Sequence, residues 1–215
     1  MKYDLQALHG CSEGPREMGN YDAEALPENS AEVVKEIISL NAKLSAFWTS
    51  AHGWAPDDAA NLLSKSRLDW QVSLSETLHL WIDRDPMTDG ELILAWANLG
   101  ALLEGTLKLF FSIYYSDFQA DTEALVYANA YDKKKKTHKE PDGLTLDILR
   151  KFVVKEELFN EAHREMFQLV QSRRNAIHAY EDRELGTVNE FRDSVRGYRK
   201  FLTDVDLTVP YPDYP

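Results

Sequence analysis

Apolar residues recur at helical spacing along most of the chain, and polar punctuation divides them into elements. Val33, Val34, Ile37, Ile38, Leu40, Leu44 and Phe47 form one stripe. It predicts a first helix capped by Asn29 or Ser30 and ended near Gly53. Pro56, Asp57 and Asp58 open a second helix, predicted to run to Ile82 with Leu62, Leu63, Trp70, Leu74, Leu78 and Trp81 on its buried side. Thr88 and Glu91 have capping-box spacing and start a third helix over 89–116. That segment is apolar on nearly all sides, the pattern of a central helix. Gly100 and Gly105 inside it predict close approach of a neighbouring backbone.

Residues 117–143 read as a long connection with a short helix around 122–131. The run Lys133–Lys136, followed by His138 and Lys139, reads as a solvated loop or as a phosphate-contacting flap. A short helix is expected around 144–152, a long one over 156–180 and a last one over 188–205. Residues 1–29 lack apolar period and predict an irregular arm, and the proline-rich residues 206–215 predict an extended tail. No strand pattern is strong. The expectation is an all-α, single-domain bundle over 30–205, with four to five long helices plus short ones.

Composition narrows the chemistry. The 215 residues are 44% hydrophobic, enough for a sizeable core, and carry a formal net charge of −12. Such a charge disfavours a broad nucleic-acid surface and leaves room for a local basic pocket. Cys11 is the only cysteine, which excludes a disulfide scaffold or a cysteine zinc site. The first residues lack the apolar core of a signal peptide, and no apolar run is expected to span a membrane. These features predict a soluble cytoplasmic protein with no membrane contact, no cofactor and no metal site.

The densest chemistry lies in QSRRNAIHAY, Gln171–Tyr180. On a continuous helix, Arg173, Ile177 and Tyr180 share an apolar stripe, while Arg174, Asn175 and His178 share the adjacent one. An arginine on an apolar stripe suggests a cleft or a subunit interface. Histidine moves protons near neutrality, and arginine grips phosphate oxygens with a planar fork. Together they suffice for RNA cleavage without a metal: the imidazole assists attack by the ribose 2′-hydroxyl or protonates the leaving oxygen, and a guanidinium stabilises charge on phosphorus. Asn175 would orient the ring or a phosphate oxygen. One histidine per chain serves one role, so two chains meeting here would supply both. Glu104, a carboxylate inside the most apolar helix, needs a partner or water. It could pair with an arginine of the cluster. A purely structural alternative has Arg173, Arg174 and His178 bonding to Glu104, Asp182, Glu184 or backbone carbonyls.

Arg173, His178 and Tyr180 match an R-x4-H-x-Y pattern, and the segment thereby resembles the signature of HEPN-domain proteins. That resemblance implies an all-α bundle, commonly a homodimer, with the motif late in a helix. It implies a metal-independent endoribonuclease of a toxin–antitoxin or defence system, or a non-catalytic module that binds RNA, a nucleotide or a protein. A polar residue usually follows the motif arginine; here Arg174 follows and Asn175 comes one place later, so both arginines are candidates. In one branch a nucleotidyltransferase antitoxin modifies the tyrosine at the position matched by Tyr180.

Overall fold

The computed structural model describes residues 29–178 and 180–211. The described chain is all-α apart from one very short hairpin, as the apolar periodicity predicts. Most of the expected arm and the last four residues of the tail lie outside the described residues.

α1 (Ser30–Trp48) begins where Asn29 Oδ1 accepts from the Ala31 N–H at 2.9 Å. Its buried face carries Val33, Val34, Ile37, Leu44 and Trp48. The second predicted helix is broken into α2 (Asp57–Lys65) and α3 (Leu68–Glu76), followed by a 3₁₀ turn at Thr77–Leu80. The break falls at Ser66, which turns extended (ψ 151°) while its hydroxyl donates to the Leu63 carbonyl. A serine hydroxyl competing for a helix carbonyl favours such an interruption. The break also lets α2 pack on the central helix while α3 lies mainly along α1.

α4 (Asp89–Ile113) is that central helix, started by the Thr88–Glu91 capping box: Glu91 N–H to Thr88 Oγ1 at 3.3 Å and Thr88 N–H to Glu91 Oε2 at 2.8 Å. Contrary to the expectation from sequence, it is long and apolar enough to cross a membrane by length and composition alone. Its apolar side chains, Trp96, Leu99, Leu103, Leu107, Phe110 and Phe111 among them, are buried against the surrounding helices.

The long connection is more ordered than its sequence suggests. It holds α5 (Tyr115–Ala120), α6 (Thr122–Tyr127) and an antiparallel pair, β1 (Tyr131–Asp132) with β2 (Thr137–His138). α7 (Leu146–Lys155) follows. The predicted long helix over 156–180 starts later and ends earlier, as α8 (Glu161–Arg174). Glu157 and Phe159 adopt left-handed backbone (φ 50° and 62°), and Asn160 Oδ1 caps the new start at the His163 N–H, 2.9 Å. α9 (Val188–Thr208) runs past the predicted end, because the helix-stopping proline comes only at Pro210. Tyr211 then lies on α1, its ring 4.7 Å from that of Phe47.

Aromatic rings fuse the core. Phe111, Phe118 and Phe152 join α4, α5 and α7, and Phe159, Phe167 and Phe201 join α8 to α9.

Candidate functional site

The 171–180 segment begins as the last turn of α8 and does not continue as an α-helix. Asn175–Ile177 tightens into a 3₁₀ turn, and His178 leaves helical geometry (φ −88°, ψ 83°). Its N–H donates to the Asn175 carbonyl at 3.1 Å, and its own carbonyl accepts from Glu181 N–H at 3.3 Å. The i,i+4 α-helical register expected for Arg174 and His178 is therefore lost. Asn175 is partly buried, and His178 and Tyr180 are exposed. No hydrogen bond engages the His178 ring among the described residues.

Arg173 is buried within a single chain, so its place on the apolar stripe requires neither a cleft nor a second subunit. Its Nε and Nη2 donate to Glu190 Oε1 at 3.1 and 2.9 Å. Its Nη1 donates to the Glu184 carbonyl at 3.0 Å and lies 2.9 Å from Glu184 Oε2. The Glu184 hydrogen bond raises the guanidinium pKa, burial opposes it, and Glu190 raises it further, leaving it above its ordinary value. Glu190 acts twice, because it also completes a capping box with Thr187 at the start of α9. The spacing Thr187-x-x-Glu190 was a readable signal for that box. Gly186 makes the approach possible. It sits in the left-handed region (φ 72°), and a Cβ there would lie 2.4 Å from Glu190 Oε2 and 2.9 Å from Arg173 Nε. The Trp96 indole N–H donates to the Leu185 carbonyl at 2.8 Å and pins the same loop to α4.

Arg174 reaches the other way, to α4. Its Nη1 donates to Glu104 Oε2 at 2.7 Å. No other hydrogen bond engages its guanidinium among the described residues, so Nε and Nη2 keep free donors. Its side chain is 31% exposed, against 10% for Arg173. Gly100 accommodates its stem: a Cβ there would lie 2.6 Å from Arg174 Cδ. A Cβ added at Gly105 would likewise run into the side-chain amide of Gln71. The two glycines make room for side chains, where a neighbouring backbone was expected.

Glu104 is a junction. Besides Arg174 it meets Lys108 Nζ at 2.9 Å, and its Oε2 accepts the Leu146 N–H at 3.1 Å. Thr145, at the start of α7, provides no side-chain cap, so a carboxylate from α4 takes that place. Burial pushes the Glu104 carboxyl up, but hydrogen bonds from Arg174 and Lys108 outweigh it and hold its pKa below the ordinary value.

One part-buried ionisable pair was not anticipated. His163 Nε2 lies 2.6 Å from Asp204 Oδ2, with its ring stacked on Phe167. It fastens α8 to α9 well away from the motif end of α8. Asp204 lies at the flank of the buried face of α9 that carries Phe201 and Val205, so the apolar stripe gave no signal for the pair. Among the described residues no three His, Cys, Asp or Glu side chains converge in metal-binding fashion.

The chain matches no family model, no curated protein and no solved structure in the three comparisons made.

Proposed function

We propose that the chain is a HEPN-like, metal-independent endoribonuclease in which Arg174 and His178 act on RNA. The carrying observation is that Arg174 gives one nitrogen to Glu104 and keeps Nε and Nη2 free, four residues before an exposed, unengaged imidazole. Free guanidinium donors suit a phosphate's oxygens, and an imidazole suits proton transfer near neutral pH. In the proposed reaction a His178 ring takes the 2′-hydroxyl proton as the 2′-oxygen bonds to phosphorus. The bond from phosphorus to the 5′-oxygen breaks, and the 5′-oxygen takes a proton from the His178 of a second chain. The products are a 2′,3′-cyclic phosphate and a 5′-hydroxyl. The pairing of chains, the cytoplasmic setting and the toxin–antitoxin or defence role belong to this same reading. Tyr180 is fully exposed, which suits modification by an antitoxin partner.

The test is cleavage of an RNA pool in EDTA, with the 2′,3′-cyclic ends counted. His178→Ala and Arg174→Ala should abolish cleavage while leaving the protein folded. An active His178→Ala protein, or a parent chain that cuts no RNA, refutes the reading. The second reading is a non-catalytic module that binds RNA, a nucleotide or a protein. It is favoured by the carboxylate partners that both arginines already hold. A nucleotide that raises the melting temperature without turnover would support it.

A further inference from the structure

The hairpin between α6 and α7 carries a charge pattern unlike its surroundings. Its tip is Lys133–Lys136, four consecutive exposed lysines, with exposed Lys139 just beyond β2. Among the described residues no carboxylate lies within 4.0 Å of any of these five ammonium groups. Lys35, Lys43, Lys108, Lys151 and Lys155, by contrast, each hold a carboxylate at 2.6 to 2.9 Å. In a chain of net charge −12, carboxylates are plentiful, yet among the described residues none pairs with these ammonium groups.

The tip is also built. Asp132 Oδ1 accepts the N–H groups of Lys134 and Lys135 at 2.9 and 3.1 Å, closing an Asx turn. Lys136 takes a left-handed backbone (φ 53°), a conformation disfavoured for a residue with a side chain. At the base the Lys139 N–H donates to the Ala130 carbonyl at 2.9 Å. The His138 ring sits 3.0 Å from the Tyr115 hydroxyl and edge-on to Phe118. The hairpin is thus anchored to α5, and like charges that repel one another are held on one short turn. Beside it, α6 packs on β1 and ends in Tyr127, which is 55% exposed.

We propose that the Lys133–Lys136 tip grips the phosphates of single-stranded RNA, with Tyr127 as a stacking surface for a base. Lysine ammonium groups and an exposed aromatic ring, carried here by the hairpin and the helix packed on its first strand, are the two components of sequence-tolerant single-strand binding. An acidic protein segment would use the charges and leave the ring idle. The polyanion contact rests on charge alone; the choice of RNA rests on the ribonuclease reading.

The test is fluorescence anisotropy of a labelled single-stranded RNA with the full chain carrying His178→Ala, titrated across salt in EDTA. With all four lysines changed to alanine, the slope of log affinity against log salt should fall by about 3, at roughly 0.7 for each phosphate no longer neutralised. Tyr127→Ala should weaken binding by at least about fivefold. Both variants should melt with the His178→Ala protein, because the changed side chains are exposed. An unchanged salt slope in the quadruple variant overturns the proposal. So does tighter binding to polyglutamate than to RNA of equal charge, which assigns the hairpin to an acidic protein. RNA held through the lysines but never cut by the parent chain sinks the ribonuclease reading and leaves the grip standing.

Discussion

Glu104 is the group whose removal reports most directly on how the motif is held. Its carboxylate joins α4 to α8 through Arg174, to α7 through the Leu146 N–H, and to Lys108 one turn along α4. Glu104→Ala deletes all three interactions. Loss of the cap at α7 costs about 1 kcal/mol. The Arg174 pairing is partly shielded, lying between an exposed ion pair and a buried hydrogen bond to a charge, and its removal costs about 1 kcal/mol. The i,i+4 pair with Lys108 adds roughly 0.4 kcal/mol. The sum is about 2.5 kcal/mol, or roughly 5–10 °C in melting temperature for a chain of this size. Urea unfolding of the parent, Glu104→Ala, Arg174→Met and the double variant completes a cycle. The Glu104–Arg174 coupling should be about 1 kcal/mol. The pH dependence has a definite sign. The folded pKa of Glu104 is depressed, so its contribution is present above the unfolded carboxylate value, about 4.3, and is lost as pH falls through the folded value. The stability gap between the parent and Glu104→Gln should therefore close on acidification. A coupling below about 0.3 kcal/mol, or a gap that widens in acid, refutes the junction.

Four further predictions concern the same neighbourhood. Gly100→Ala gains helix propensity but drives a Cβ against Arg174 Cδ and Cβ, at 2.6 and 3.0 Å, so chemical denaturation should show a net loss of about 1–2 kcal/mol. Glu190→Ala removes a capping box and leaves Arg173 buried with only an exposed carboxylate partner, and unfolding should show about 2–4 kcal/mol lost. Glu184→Ala should cost under about 1 kcal/mol in the same assay, because Glu184 is 80% exposed and its ion pair is screened by solvent, and equal costs would contradict the larger structural role of Glu190, which is less exposed and also caps α9. His178→Ala should leave stability within about 0.5 kcal/mol, measured by thermal melting, because its ring is exposed and, among the described residues, unengaged.

What the sequence made legible was set by periodicity and by local caps. The stripe of α1, the Thr88–Glu91 box and the apolar α4 are readable because each is a short-range pattern with a direct physical meaning. The break at Ser66 was not readable, because it depends on α2 and α3 packing against different partners, a tertiary demand that leaves the local pattern intact. The late start of α8 was partly readable: Asn160 is a good cap, but the apolar residues Leu158 and Phe159 before it extend the helical period. At the motif, the residue types were legible and the geometry was not. The helical wheel placed Arg174 and His178 side by side, and the 3₁₀ turn at Asn175–Ile177 removed that register. Two of the arginines' partners were legible, because Glu104 is a carboxylate in an apolar helix that needs a cation and Glu184 lies just past the cluster, and the structure pairs them with Arg174 and Arg173; Glu190, 17 residues beyond Arg173, carried no such signal.

The two motif arginines differ in what they can still do. Arg173 uses Nε, Nη1 and Nη2 within the fold, and its main partner, Glu190, also caps α9. Turning that guanidinium toward a phosphate would strand a partly buried carboxylate and disturb a helix start, at a cost of roughly 3–5 kcal/mol for a broken buried pair. Arg174 is held by one nitrogen, and its partner Glu104 keeps Lys108 and the Leu146 N–H whether or not Arg174 is present. Releasing it costs about 1 kcal/mol, within what a charge-assisted hydrogen bond to phosphate returns. The motif pattern alone points to Arg173, five residues before His178; the energetics point to Arg174. Within the proposed ribonuclease, Arg173 is the residue that shapes the turn and Arg174 the one that meets the substrate.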